Sequence, residues 1–403
     1  MRWFSWDYIF ATLFLFLIVI CVPLIFSLNF LEPMKNSLFD FRLTDIIDSK
    51  IIPRENETID TNMVIINSTI NGIPINNLAL AKILVKLTEY NPKVIGIKKY
   101  IKESDNKNID LKLAYLINNI PNIICSFKFT HFNKNKKEFD SIFKSDEIFV
   151  KNVEQGFENF KKIKDERFTT IREFMPTMNN LGQKYKSFAL KIVEKYDKKA
   201  AQDLLARNNE TEFIKYKGHF HFFRIEALDL LQNKISSDML ENKIVLIGRI
   251  STKNSLDSNA VFDDVYFTPL NEIYTGKAFP DMYGTILQAN IISMILNRTY
   301  IDSMPYLLKV IITVFIVYLN MVIFTFIIIK NKRWYEIFSL AVFVIESIGL
   351  LFLSLLSFVY FNYDMDFTIS IFSIALSVLI FEMYNSSLKP LSIKLYYKYF
   401  HKG

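Results

Sequence analysis

The sequence predicts an α/β domain with a largely parallel sheet, held outside the cytoplasm, with one transmembrane helix before it and three after it. Three observations lead there. Apolar residues crowd the two ends of the 403-residue chain, short β-branched runs alternate with amphipathic stretches in its middle, and basic residues collect on one side of the apolar ends.

The first span is read from Tyr8 to Leu31, 24 residues without a charge. At about 1.5 Å per residue this exceeds the roughly 30 Å hydrocarbon core of a bilayer. Arg2 makes a secretory signal peptide the alternative, but the run is too long and no small-x-small cleavage site follows it. Cys21 follows Ile20, where a lipidation signal needs a small residue. Three further runs follow Pro305: Val310 to Ile329, Ile337 to Phe361 with Glu346 as its one charge, and Phe367 to Phe381.

Orientation follows from the basic residues in the short connections. Arg2, the group Lys330, Lys332 and Arg333, and the tail lysines Lys389, Lys394, Lys398 and Lys402 belong on the cytoplasmic side, whereas the turn 362–366 carries Asp364 and Asp366 and no base. The chain therefore divides into an N-terminal segment and first span (1–31), an extracytoplasmic domain (32–305), three spans (306–388) and a basic, aromatic tail (389–403) suited to a membrane lipid surface. The formal charge of +7 is mild and falls largely outside the cytoplasm, which disfavours nucleic acid as a partner. With one cysteine in a span and Cys125 in an apolar run, no intrachain disulfide is expected.

Within 32–305 the strands are read from Met63–Ile66, Val94–Ile97, Ile123–Phe127 and Lys243–Gly248. Helices are read over Leu78–Leu87, Ile109–Ile117, Ser187–Ala206, Ile225–Ile235 and Met282–Leu296, and an aromatic strand over Tyr216–Phe223. Residues 131–180 lose this regularity and are read as an insertion.

This layout resembles the second class of CHASE domains, the extracytoplasmic sensors associated with cyclases and histidine kinases. Three passages carry the resemblance: Asp40-Phe41-Arg42 after the first span, the helix-Pro-strand passage Leu84 to Gly96, and the tail from Lys243–Gly248 through Asp264, Thr268-Pro269 and Gly284 to Asn290. The resemblance implies a bacterial inner-membrane, multi-pass protein with a sensory or interaction domain. It also exposes departures: Asn67-Ser68 and Lys98-Lys99 stand where relatives carry acids, and Gln288-Ala289 where they have His-Ala. Relatives continue into an output domain after the last span, and here fifteen residues follow, too few to bury a core.

In open parallel sheets ligands bind beyond the carboxyl ends of the strands. That rule would gather Asn67, Ser68, Lys98, Arg249, Asp264, Thr268 and Gln288 around one crevice for a small polar or anionic ligand, with Lys98 and Arg249 as cationic anchors. The alternative is that these are ordinary polar loop residues. Asp40 and Arg42 are read as a structural pair tying the first span to the domain. Among the spans, Asn320, Glu346 and Ser377 fall at similar depth, so Glu346 is expected to donate a hydrogen bond to Asn320 or Ser377 and fix the packing; a proton relay is the rival reading. His131, His219 and His221 lack a third ligand, and there is no phosphate loop or nucleophile elbow, so no metal, cofactor or enzymatic activity is expected. Two functional readings remain: a sensor acting through a separate protein partner in or across the inner membrane, and a structural subunit of an envelope complex built on a degenerate sensor fold.

Overall fold

The computed structural model describes residues 6–26, 45, 58–70, 72–133, 135–160, 169–250, 264–271 and 279–390, with side chains of the first helix described over 8–18. The chain enters with helix α1 (Trp6–Phe26) and divides into two compact units, Asp48–Ile301 and Met1–Ile47 with Asp302–Gly403.

The first unit is mixed α/β. Its sheet has seven strands: β1 (Asp60–Asn67), β2 (Val94–Lys98), β3 (Ile123–Asn133), β4 (Glu138–Phe143), β5 (Glu154–Phe157), β6 (Phe222–Glu226) and β7 (Ile244–Gly248). The order is β6-β1-β7-β2-β3-β4 with β5 beside β3, and every pairing except β3 with β4 is parallel. Strands β2 and β7 are buried at every residue. Strands covered on both faces read as unbroken apolar runs rather than alternating ones, which is why they stand out in the sequence.

Alternate residues of these strands feed two cores. Met63, Ile65, Val94, Ile244 and Leu246 pack with α4 (Phe188–Tyr196), α5 (Lys198–Ala206) and α6 (Gly284–Asn297), whereas Val64, Ile66, Ile95, Ile97, Val245 and Ile247 pack with α2 (Asn77–Tyr90) and α3 (Lys107–Asn119). Helix α2 starts where the Asn76 side chain accepts from the Ala79 N–H, and stops at Asn91, left-handed at φ 49° before Pro92.

Three local expectations change. The single helix read over Ser187–Ala206 is two helices, because Asp197 leaves the helical backbone and caps α5 by accepting from the Lys199 and Ala200 N–H groups. The aromatic strand read over Tyr216–Phe223 begins only at Phe222, since Gly218 takes φ 138° and the Asn290 side chain accepts from Lys217 and Gly218. The segment 131–180 supplies part of β3 and all of β4 and β5, and so belongs to the main sheet.

The second unit contains α1, α7 (Tyr306–Asn331), α8 (Tyr335–Phe361) and α9 (Thr368–Met383). Ala11 and Leu15 of α1 pack with Val317, Met321 and Phe324 of α7, Tyr335 of α8, and Ile380 and Phe381 of α9. Against the four spans read from the sequence, two stretches of the described residues are long and apolar enough to cross a membrane, Tyr306–Phe361 and Thr368–Leu388. The first contains both α7 and α8, joined by the short turn Lys332–Trp334. In α1 the apolar stretch with described side chains is the shorter Tyr8–Ile18.

Polar contacts tie α7 to its neighbours: Lys309 Nζ lies 3.3 Å from Asp366 Oδ2, the Thr313 and Ser370 hydroxyls are 2.7 Å apart, and Asn320 Nδ2 donates to Glu346 Oε2 at 2.8 Å. Glu346 thus meets Asn320 as acceptor rather than donor. Ser377 does not join them; its hydroxyl donates to the Ile374 carbonyl at 2.6 Å, the back-bonding that a helical serine readily finds in an apolar bundle.

Candidate functional site

Parallel pairing places the carboxyl ends of four strands side by side. Glu226, Asn67, Gly248 and Lys98 are register partners across β6, β1, β7 and β2. With strands about 4.8 Å apart, Asn67 and Lys98 are separated by about 10 Å, with Gly248 between them. All four lie on the face that carries α6.

Lys98 is a buried cation with two carboxylates. Its Nζ lies 2.6 Å from both oxygens of Asp264 and 3.4 Å from Glu158 Oε2. The Tyr100 hydroxyl donates to Glu158 Oε1, and Gln288 Nε2 donates to the Glu158 carbonyl at 3.5 Å. Burial alone would pull the ammonium pKa down, but Asp264 and Glu158 outweigh it and hold Lys98 above the ordinary lysine value. Burial, helped by the charge of Glu158, pushes Asp264 up against the pull of Lys98. Burial together with two carboxylates facing one cation accounts for both directions. Burial also pushes the Tyr100 phenol far up, so it remains a donor.

The remaining residues form separate groups. Asn67 donates to Glu226 Oε2 at 3.0 Å and accepts from Thr69 at 3.0 Å and from the Ile250 N–H at 3.4 Å. Ser68 is held through its backbone, its N–H on the Gly248 carbonyl at 2.9 Å. Arg249 sits 5.9 Å from the Tyr283 ring centroid. Thr268 donates its N–H to Asp281 Oδ1 at 2.8 Å and its hydroxyl to Oδ2, with His219 Nε2 3.6 Å from Oδ2. Asp40 and Arg42 lie outside the described residues, as does 251–263.

The crevice predicted at the strand ends is therefore filled from within. The first turn of α6 occupies it: a Cβ on Gly248 would collide with the Thr285 side chain, and one on Gly284 with Asp264 and with Lys98 Nζ at 2.7 Å. Thr285 is fully buried and its hydroxyl has no hydrogen-bond partner among the described residues. Asp264, whose backbone carbonyl accepts the Gly284 N–H at 2.9 Å, sets its carboxylate at the positive end of the helix. Of the two cations expected to anchor one anion, Lys98 is matched among the described residues by the protein's own carboxylates, and Arg249 lies beside the Tyr283 ring. Glu158 and Tyr100 were not among the residues read from the sequence, and Gly284 and Thr285 were read as part of a motif rather than as site residues. The signal for Glu158 was a lysine at a buried strand end, which requires a carboxylate from somewhere in the chain.

Asp281 supplies a pH test. Burial pushes its carboxyl up to about 6 despite the Thr268 hydrogen bonds, whereas an unfolded aspartate titrates near about 3.9. The folded state thus holds the extra proton between these values, so this group's contribution to stability falls as pH rises from about 4 to about 6 and is level above that. Thermal melts of wild type and Asp281→Asn across this range should differ by that decline; parallel curves would remove Asp281 as its source.

No curated protein and no solved structure matches the chain. The CHASE2 domain family matches residues 15–329, a span that takes in the sheet, the ion cluster, α6 and most of α7 and covers more than half of the chain, so the protein belongs to the CHASE2 domain family of sensor domains.

Proposed function

We propose that the protein is a non-enzymatic sensor of a bacterial inner membrane: α1, α7, α8 and α9 are four spans, the α/β unit lies outside the cytoplasm, and the protein acts through a separate protein partner. The observation that carries this reading is the course of α6. Its first turn is packed against the Lys98 cluster, it is buried along twelve consecutive residues, and eight residues separate its end at Asn297 from the start of α7 at Tyr306. A change at the strand ends that shifts α6 is passed by this short connection into the helices. Apolar side chains exposed on the bundle, among them Phe315, Ile345, Ile348 and Phe352, suit contact with lipid.

Two measurements test the reading. In a Cys21→Ala/Cys125→Ala background, a membrane-impermeant thiol reagent should label Met365→Cys but not Lys332→Cys in intact spheroplasts; the opposite pattern would reverse the orientation. Purification of the full chain in mild detergent should recover a cytoplasmic kinase or cyclase. Stoichiometric recovery of envelope proteins instead would favour the second reading, a structural subunit, which the self-filled crevice supports.

The bundle contact between Asn320 and Glu346 gives a smaller prediction. Interhelical hydrogen bonds in membranes contribute about 0.6 to 2 kcal/mol. Glu346→Gln keeps both donor and acceptor and should unfold like wild type in detergent, while Glu346→Leu should lose about 1 kcal/mol. A severe loss in Glu346→Gln with a mild one in Glu346→Leu would remove the packing role and favour the proton relay.

A further inference from the structure

A second concavity lies away from the strand-end crevice, and it has a different character. It is a cleft of about 440 Å³ lined from β3, β4 and β5, from the hairpin of Thr177–Asn180 with Gln183–Lys186, and from α4. That volume is within the range of small-molecule sites. Its floor is aromatic: Tyr185 meets Phe127 edge-on at 5.9 Å and Phe129 at 5.1 Å between ring centroids. Lys144, Lys184, Lys186 and Lys191 line the cleft.

The charges around this cleft do not balance. Lys144 pairs with Glu147 at 2.7 Å and Lys186 with Glu194 at 2.6 Å. Lys191 and Lys195 share the one carboxylate of Glu154, each at 2.9 Å. The two ammonium groups together hold the Glu154 carboxyl below its ordinary range, so it stays ionised. Lys184 is exposed and has no ion pair among the described residues. With Lys195, which lies outside the lining but shares Glu154, five lysines meet three carboxylates, a surplus of two positive charges around the cleft. Gln155 and Gln183 add amides at the same cleft, the latter accepting the Tyr185 hydroxyl at 2.8 Å.

We propose that this cleft is a binding site for a small organic dianion, a phosphomonoester or dicarboxylate with a flat or apolar part. The anionic groups meet Lys184 and the shared Lys191, and the carbon skeleton lies on Tyr185. Charge matching explains the dianion: it neutralises the surplus without displacing any of the three glutamates. The aromatic floor adds apolar contact that inorganic phosphate lacks, so affinity should favour the organic anion. The cleft is built from the irregular stretch 131–180 and the segment after it, and not from the strand ends where doubly wound folds usually bind. The proposal rests on the sensor reading only in that the bound anion would be the sensed ligand.

Pyridoxal 5′-phosphate is a suitable probe, being an aromatic phosphomonoester whose aldehyde forms an imine with a nearby lysine. Full-length protein in detergent is treated with substoichiometric reagent, reduced with borohydride and mapped by mass spectrometry. Labelling should concentrate on Lys184 and Lys191 over the other lysines. Excess pyridoxine 5′-phosphate, which has no aldehyde, should protect them, and inorganic phosphate should protect at least about tenfold less well. In Tyr185→Ala that preference should shrink while the fold, checked by circular dichroism, is retained. In Lys184→Gln/Lys191→Gln, labelling of Lys144 and Lys186 should also fall, because the dianion loses its anchors. Labelling spread over exposed lysines, or unaffected by pyridoxine 5′-phosphate, overturns the proposal. Because no partner or signalling output is read, either failure leaves the sensor reading untouched.

Discussion

Lys98→Met is expected to destabilise the α/β unit by about 3–5 kcal/mol, the loss typical of breaking a buried ion pair from one side. Methionine fills nearly the same volume, so little of this comes from a cavity. The loss arises because Glu158 remains buried and Asp264 half-buried without their cation, and each must either pick up a proton or draw in water. Glu158 keeps the Tyr100 hydroxyl as a donor, whereas Asp264 keeps no comparable side-chain donor among the described contacts. Removing the stranded carboxylate as well should therefore restore much of the loss: Lys98→Met/Asp264→Leu is expected to recover at least half. The three tryptophans, Trp3, Trp6 and Trp334, lie outside this unit. Hydrogen exchange of the β2 and β7 amides is the better measurement, since these central strands report global opening of the sheet. Wild-type protection in Lys98→Met would show that the cluster contributes nothing to the fold.

The central strands were legible because burial on both faces leaves a plain mark in the sequence. Val94–Ile97 and Ile244–Gly248 can be placed from their apolar runs alone, and the turn at Asn91-Pro92 from its chemistry. Strand β5 was not legible: Glu-Gln-Gly-Phe has neither an apolar run nor alternation. It is a strand because β3 offers it a partner and because Gly156 lets the backbone of α4 come close, where a Cβ would meet Phe188 Cα at 2.6 Å. The contents of the strand-end crevice were only half legible. Lys98 and Asp264 could be placed at the same crevice, but that they pair, and that Glu158, 60 residues beyond Lys98, joins them, leaves no record in the local sequence. The meeting of Asn320 and Glu346 was legible by counting depth along two straight helices. Ser377 has the right depth as well, but a helical serine can satisfy itself on its own backbone, so depth alone does not decide its partner.

Gly284→Ala should reverse the sign of an ordinary substitution. In a helix, alanine in place of glycine normally stabilises by about 0.5–1 kcal/mol, because it restricts the unfolded chain. Gly284 is the first residue of α6, and its backbone does not take a left-handed conformation. Propensity alone therefore predicts a gain. Packing opposes it, because the added methyl falls against the Asp264 carboxylate and 2.7 Å from Lys98 Nζ. The lysine tip is the end of a flexible chain and can yield, but Asp264 is held by its own backbone carbonyl on the Gly284 N–H. The methyl thus separates the carboxylate from its cation, and overpacking of this kind costs about 1–3 kcal/mol. The net expectation is a destabilisation of about 1–2 kcal/mol. A double-mutant cycle isolates the cause. In an Asp264→Ala background the obstacle is gone, so Gly284→Ala should become neutral or stabilising, giving a coupling of about 1–3 kcal/mol between the two positions. Equal effects of Gly284→Ala in both backgrounds would show that the glycine serves the helix backbone alone, and would detach the first turn of α6 from the Lys98 cluster.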